Sequence, residues 1–180
     1  MQLNLMNPTE QVAFIYRINQ LKDDLMKLKK SKNHKKIHNV FKKIISEIEV
    51  SCNIQLNVDE ALKFCKKEFD YQNKKISKND WKEVVDKIKG KSRSRLVLDK
   101  QEDKKNPEEQ QNRLPDNLIW GITCMCCGYF LRLIPIPVCH HIGNVLLGSG
   151  FSMCSNAITS KTEADKKREE EEKGRYLCAA

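Results

Sequence analysis

Cys124-Met125-Cys126-Cys127 places two thiols three residues apart, and Cys139-His140-His141 follows in the same uncharged stretch. Thiolates and imidazoles are what zinc selects, so a four-ligand set can be drawn from Cys124, Cys127, Cys139 and His140. The surrounding residues argue against it. They are apolar and helix-forming, and a helix would separate Cys124 from Cys139 by most of its length. The expectation is therefore no metal and no cofactor, with the cysteines acting as small hydrophobes. A zinc-stabilised module held by these four residues is a third reading of the chain, and S-acylation of Cys124 or Cys139 a minor one. No Ser/His/Asp arrangement, HExxH pair or phosphate-binding glycine loop occurs, so no catalytic residue and no enzyme activity is expected.

The other residues able to do chemistry are cationic. Lys27, Lys29, Lys30, Lys32, Lys35, Lys36, Lys42 and Lys43 fall with His34 and His38 in a run that holds no acid. Such a block raises the local potential and favours an anionic surface, through about 1 kcal/mol per lysine beside an acidic lipid leaflet. Its plainer reading is a set of solvated helix faces. Nucleic acid is not the expected partner: 26 Lys against 7 Arg, no aromatic platform beside the block and no zinc-finger or RNP motif argue against it.

Helices must position these groups. Asn7-Pro8-Thr9-Glu10 opens the first one, with a capping side chain, a proline suited to the first turn and a glutamate three residues on. Phe14, Ile18, Leu21, Leu25 and Leu28 then form one apolar seam, available for internal packing or for a partner helix. Ile37, Val40, Phe41, Ile44, Ile45 and Ile48 predict a second helix ending near Cys52. Asn57 with Glu60 makes a capping-box candidate ahead of Val58, Ala61, Leu62, Cys65 and Phe69. Ser77 or Asn79 starts a fourth helix carrying Trp81, Val84, Val85 and Ile88, closed by Gly90. The fold class expected is all-α: an N-terminal amphipathic helical bundle over residues 7–90, a polar linker over 91–113, a C-terminal hydrophobic helical hairpin over 114–158 and a charged tail over 159–180.

Charge follows the same divisions. The chain has 180 residues and a net charge of +9, and residues 114–180 hold equal numbers of acids and bases, so the whole excess lies in the first part. Between Leu114 and Ile158 only Asp116 and Arg132 are charged. Pro135-Ile136-Pro137 breaks this stretch into two arms. A helix from Leu118 to Ile134 would be about 25 Å long, slightly short of the ~30 Å hydrocarbon layer. Arg132 could snorkel at its far end beside His140 and His141, and Trp120 suits the near interface. Small residues at Cys124 and Gly128, and at Gly148 and Ser152, would let the arms approach closely. Lys104, Lys105 and Arg113 before the hairpin, and Lys161, Lys166, Lys167 and Arg168 after it, hold both ends on the cytosolic side. Ser160 with Glu163 caps a separate charged helix in the tail.

Met1 to Pro8 lacks the basic start of a secretory leader, and Leu177-Cys178-Ala179-Ala180 is not a prenylation box. The cysteines, crowded into the oily stretch, read as reduced thiols.

The bilobed apolar segment with its tight turn, and the stretch Leu-Pro-Asp-Asn-Leu-Ile-Trp-Gly…Cys-Gly…Ile-Pro-Ile-Pro-Val-Cys over residues 114–139, resemble the inclusion-membrane proteins of chlamydiae and related intracellular bacteria. The resemblance implies type III export, insertion in a host-derived vacuole membrane and exposure of both ends to host cytosol. The resulting expectation is a non-enzymatic, membrane-anchored helical protein. It would contact lipid through 114–158 and tether or recruit a protein or acidic surface through its basic helices, with homo-oligomerisation as a further contact. The rival expectation is an all-α adaptor or chaperone-like binder whose hairpin is buried core.

Overall fold

Asn7 starts the first helix as its side chain suggests. Its Oδ1 accepts from the Glu10 N–H at 2.9 Å while the Glu10 carboxylate accepts from the Asn7 N–H at 2.9 Å, the reciprocal capping box. The computed structural model describes residues 6–31, 33–74, 76–90 and 116–178. The described residues form six α-helices, with no strand among them: α1 (Pro8–Lys27), α2 (His34–Cys52), α3 (Val58–Tyr71), α4 (Lys78–Ile88), α5 (Asp116–Arg132) and α6 (Pro137–Cys178). A 3-10 turn, η1 (Leu28–Lys30), extends α1. The all-α class is as expected; the linker expected at 91–113 lies outside the described residues.

The first four helices begin and end where their caps dictate. Asn33 and Ser77 cap α2 and α4 through the Lys36 and Asp80 N–H groups. Asn57 caps α3 by accepting from the Asp59 N–H at 3.0 Å, in place of the expected box with Glu60. Asn53, at φ 48°, closes α2 in the left-handed conformation that asparagine tolerates. Each helix buries one stripe: Phe14, Ile18 and Leu25 on α1; Ile37, Phe41, Ile44, Ile48 and Cys52 on α2; Ala61, Leu62, Cys65 and Phe69 on α3; Val84 and Ile88 on α4.

Those stripes need a common partner, and α5 is that partner. It packs against η1, α2, α3, α4 and α6. From Leu118 to Leu131 every residue except the half-buried Tyr129 is buried. A helix that is apolar all round has no face for water and is stable only when enclosed. Here protein encloses it, and the buried residues of all six helices belong to one apolar cluster. The packing therefore does not confirm a bundle with a separate hairpin.

Two findings bear on the expected lipid contact. No described helix is long and apolar enough to cross a membrane. Trp120, expected at an interface, is fully buried and donates its indole N–H to the Leu25 carbonyl at 2.8 Å, at the C-terminal end of α1. Arg132, His140 and His141 are exposed around the turn.

The turn between α5 and α6 is as tight as its prolines require. Pro137 occupies the first position of α6, where a missing N–H costs nothing. The two helices run antiparallel at close range through glycines seven apart. A methyl group on Gly128 would lie 2.6 Å from the Gly143 carbonyl oxygen, and one on Gly143 would lie 2.8 Å from the Gly128 carbonyl oxygen. Gly121 and Gly150 oppose each other in the same way one heptad further along. Of the small residues expected to mediate this approach, Cys124 with Gly128 and Gly148 with Ser152, Gly128 lies at the closest contact and Cys124 is buried near Cys154 of α6, whereas Gly148 has open space beside it.

Helix α6 does not stop at the end of its apolar half. It continues through Ser160 to Cys178, 42 residues in all, so the separate helix start expected at Ser160 is absent. Nothing between Ile158 and Lys161 breaks the backbone ladder, and Thr159 and Thr162 simply bond their hydroxyls back to the carbonyls four residues earlier.

Candidate functional site: the basic face and the thiol core

The lysine block faces outward because the apolar residues between its members face in. Lys35, Lys36, Lys42 and Lys43 share one face of α2, opposite the buried Ile37, Phe41, Ile44 and Ile48, and all four are exposed. Lys27 and Lys29 are exposed on the preceding turn. Lys27 pairs with Asp24 at 3.2 Å, and the Lys29 ammonium stands 5.9 Å from the centre of the Trp120 ring, a cation over an aromatic face. The side chains of Lys30 and Lys32 lie outside the described residues. Six of the eight lysines thus flank one helix and the turn leading into it.

His38 sits at the inner edge of this face. It contacts the end of α4, where a methyl on Gly90 would lie 2.7 Å from its Nε2, and Gly90 itself has φ +66°. Burial lowers the His38 pKa, the Lys42 charge adds to the effect, and a hydrogen bond with the Ile88 backbone works the other way. The neutral imidazole is therefore favoured in the fold.

The apolar seam is consumed internally. Phe14, Ile18 and Leu25 are buried, and Leu21 and Leu28 pack against the same core, so the five residues expected to offer a partner-helix seam hold the fold together. Arg17 on α1 meets Glu47 on α2 at 2.7 Å alongside it.

The four residues from which a zinc site could be drawn are not brought together. Cys124 and Cys127 lie within α5, Cys139 lies beside Cys52 near the turn, and His140 points to solvent. Among the described residues no group of three potential ligands gathers around a common point. The cysteines instead populate the core: Cys65 on α3 and Cys126 on α5 have sulfurs 3.8 Å apart, and Cys154 on α6 reaches the Leu118 carbonyl at 3.7 Å. The Cys65 contact and burial hold the Cys126 thiol well above its ordinary pKa, and burial does the same for Cys124, Cys127 and Cys154. Cys139 is pushed up to about 11, by burial and then by Cys52. Burial thus favours the protonated form of these thiols, in which cysteine packs as a small hydrophobe.

Fold and surface together define an all-helical protein with a lysine-rich exterior and a central helix wrapped by its neighbours. Comparison with protein-family models, curated proteins and solved structures finds no match.

Proposed function

We propose that the protein is a non-catalytic all-α adaptor that meets an acidic macromolecular surface through the exposed lysines of η1 and α2, with the apolar hairpin serving as its core. The observation that carries this reading is the enclosure of α5: Leu118, Ile119, Trp120, Ile122 and Met125 are covered by protein, so the first arm of the segment that suggested a lipid anchor has little apolar surface left to offer, although Leu133, Val138 and Val145 beyond it are exposed. The charged exterior is open to a partner, and its run from Lys27 to Lys43 holds no acid. Charges of this kind steer and orient an encounter, and their contribution falls with added salt.

Vesicle sedimentation tests the reading. The full chain should bind vesicles containing phosphatidylserine at low salt and be released by high salt. The combined Lys35→Gln, Lys36→Gln, Lys42→Gln and Lys43→Gln variant should lose at least tenfold in affinity, a conservative figure for four charges worth about 1 kcal/mol each near an acidic surface. Binding that survives carbonate and high salt would restore the anchored reading, and binding unaffected by the four substitutions would remove the basic face from consideration.

A further inference from the structure

Between α3 and α4, on a different part of the surface from the Lys27–Lys43 block, lies a cavity of about 100 Å³ lined by Lys66, Phe69, Asp70, Lys74, Ile76, Lys78 and Trp81. Its base is aromatic: Phe69 is buried and meets the half-buried Trp81 edge-on, with ring centres 6.5 Å apart at 73°. Its rim is cationic. Among the described residues none of Lys66, Lys74 and Lys78 forms an ion pair. Three ammonium groups against the single Asp70 carboxylate leave two positive charges unmatched.

Two further features point to an anion. Lys78 is the first residue of α4, so its charge sits at the positive end of the helix, where lysine is locally unfavourable and where an anion would reverse the sign. Asp80, in the first turn of α4, is already held by Lys161 of α6 at 2.7 Å. Helix α6 also braces the rest of the cleft. Thr159 Oγ1 lies 3.4 Å from the Lys74 ammonium, and Phe151 stacks on Phe69 with ring centres 5.8 Å apart. The aromatic base and Lys74 are thus held from behind, while the exposed Lys66 and Lys78 side chains would be ordered on binding.

We propose that this cleft binds an aryl phosphate monoester: a dianionic head among Lys66, Lys74 and Lys78, with the ring against Trp81, Phe69 and Ile76. A phosphate monoester carries about −1.5 to −2 charges at neutral pH and so matches the surplus that a carboxylate would only half fill. Lysine serves such a head as a point charge. The same chemistry is presented by a free aryl phosphate and by a phosphotyrosine side chain.

The two indoles make the test direct. In an NMR titration of the full chain with phenyl phosphate, the Trp81 indole signal should move and saturate at millimolar ligand, while the Trp120 indole, enclosed and bonded to Leu25, should not. Phenol, which lacks the charge, and inorganic phosphate, which lacks the ring, should each bind at least tenfold more weakly. Lys66→Gln with Lys78→Gln should weaken phenyl phosphate at least tenfold, and Lys42→Gln with Lys43→Gln should leave it unchanged. A phosphotyrosine peptide that binds more tightly than phenyl phosphate assigns the source to a modified protein, and one that binds less tightly assigns it to a free ester. An unmoved Trp81 signal, or phenol binding as well as phenyl phosphate in the native chain, overturns the proposal whether or not the lysine variants fold.

Discussion

Alanine in place of Gly128 should destabilise the protein by about 2 kcal/mol, although in a free helix the same change is favourable by about 1 kcal/mol. The new methyl would lie 2.6 Å from the Gly143 carbonyl oxygen, 2.8 Å from Leu147 Cγ and 2.9 Å from the Leu147 backbone nitrogen. The side-chain carbon can turn aside, but the two backbone atoms move only if α6 moves away from α5. Over-packing of this kind costs about 1–3 kcal/mol, and the backbone contacts place Gly128 at the upper end. Subtracting the helix-forming gain leaves the net figure. Gly148→Ala is the matched control, since nothing lies within 4 Å of its added methyl. It should stabilise by about 0.5–1 kcal/mol through propensity alone. For a chain of 180 residues each kcal/mol moves the midpoint by about 2–4 °C, so the two variants should separate by roughly 5–12 °C in opposite directions. Thermal and urea unfolding followed by circular dichroism would measure this. A Gly128→Ala protein at least as stable as the parent, or a Gly148→Ala protein that falls as far as Gly128→Ala, would refute the close antiparallel contact.

Other consequences can be measured on the same material. Trp120→Phe should cost about 2 kcal/mol in urea unfolding, from lost volume and the lost bond to Leu25; the cost stays moderate because the Leu25 carbonyl keeps the Leu28 N–H as a donor. Cys65, Cys124, Cys126, Cys127 and Cys154 should resist alkylation at pH 8 in the native protein and react fully in denaturant, read peptide by peptide by mass spectrometry; rapid native labelling of Cys126 would contradict its burial. His38 has a folded pKa below its unfolded one, so between those values the unfolded chain binds more protons and stability rises with pH. Its contribution is complete above the ordinary histidine pKa and is lost as pH falls through the lowered one, so His38→Gln should flatten the decline in urea midpoint below about pH 6.5.

The four N-terminal helices were legible because each carries both a periodic apolar stripe and a cap. Phe14, Ile18, Leu21, Leu25 and Leu28 define a face whether that face meets the chain's own core or a partner, and the structure gives it to the core. Helix α5 was legible as a helix, with buried core standing only as the rival to a lipid anchor. With no polar side between Leu118 and Leu131, hydrocarbon and protein are equally good surroundings, and only the positions of α2, α3 and α4 decide between them. The glycine contacts show the same limit. Small residues occur at several spacings on both arms, and the choice of Gly121, Gly128, Gly143 and Gly150 depends on how the turn sets the register of the two helices. The charged tail misled for a local reason: Ser160 and Glu163 have capping spacing, but a cap acts only where a helix has already ended. The aromatic and lysine cleft was missed because Lys66, Lys74, Lys78 and Trp81 come together only when α4 folds back on α3.

The central place of α5 also sets an order of events during translation. Helices α2, α3 and α4 leave the ribosome before the residues that cover them exist, and the stretch from Gly90 to Leu131 takes roughly 2–8 s to synthesise at about 5–20 residues per second. Throughout that interval α1 and α2 can pack on each other, but the stripes of α2, α3 and α4 lack the helix they share. The core therefore closes only once α5 and α6 have both been made.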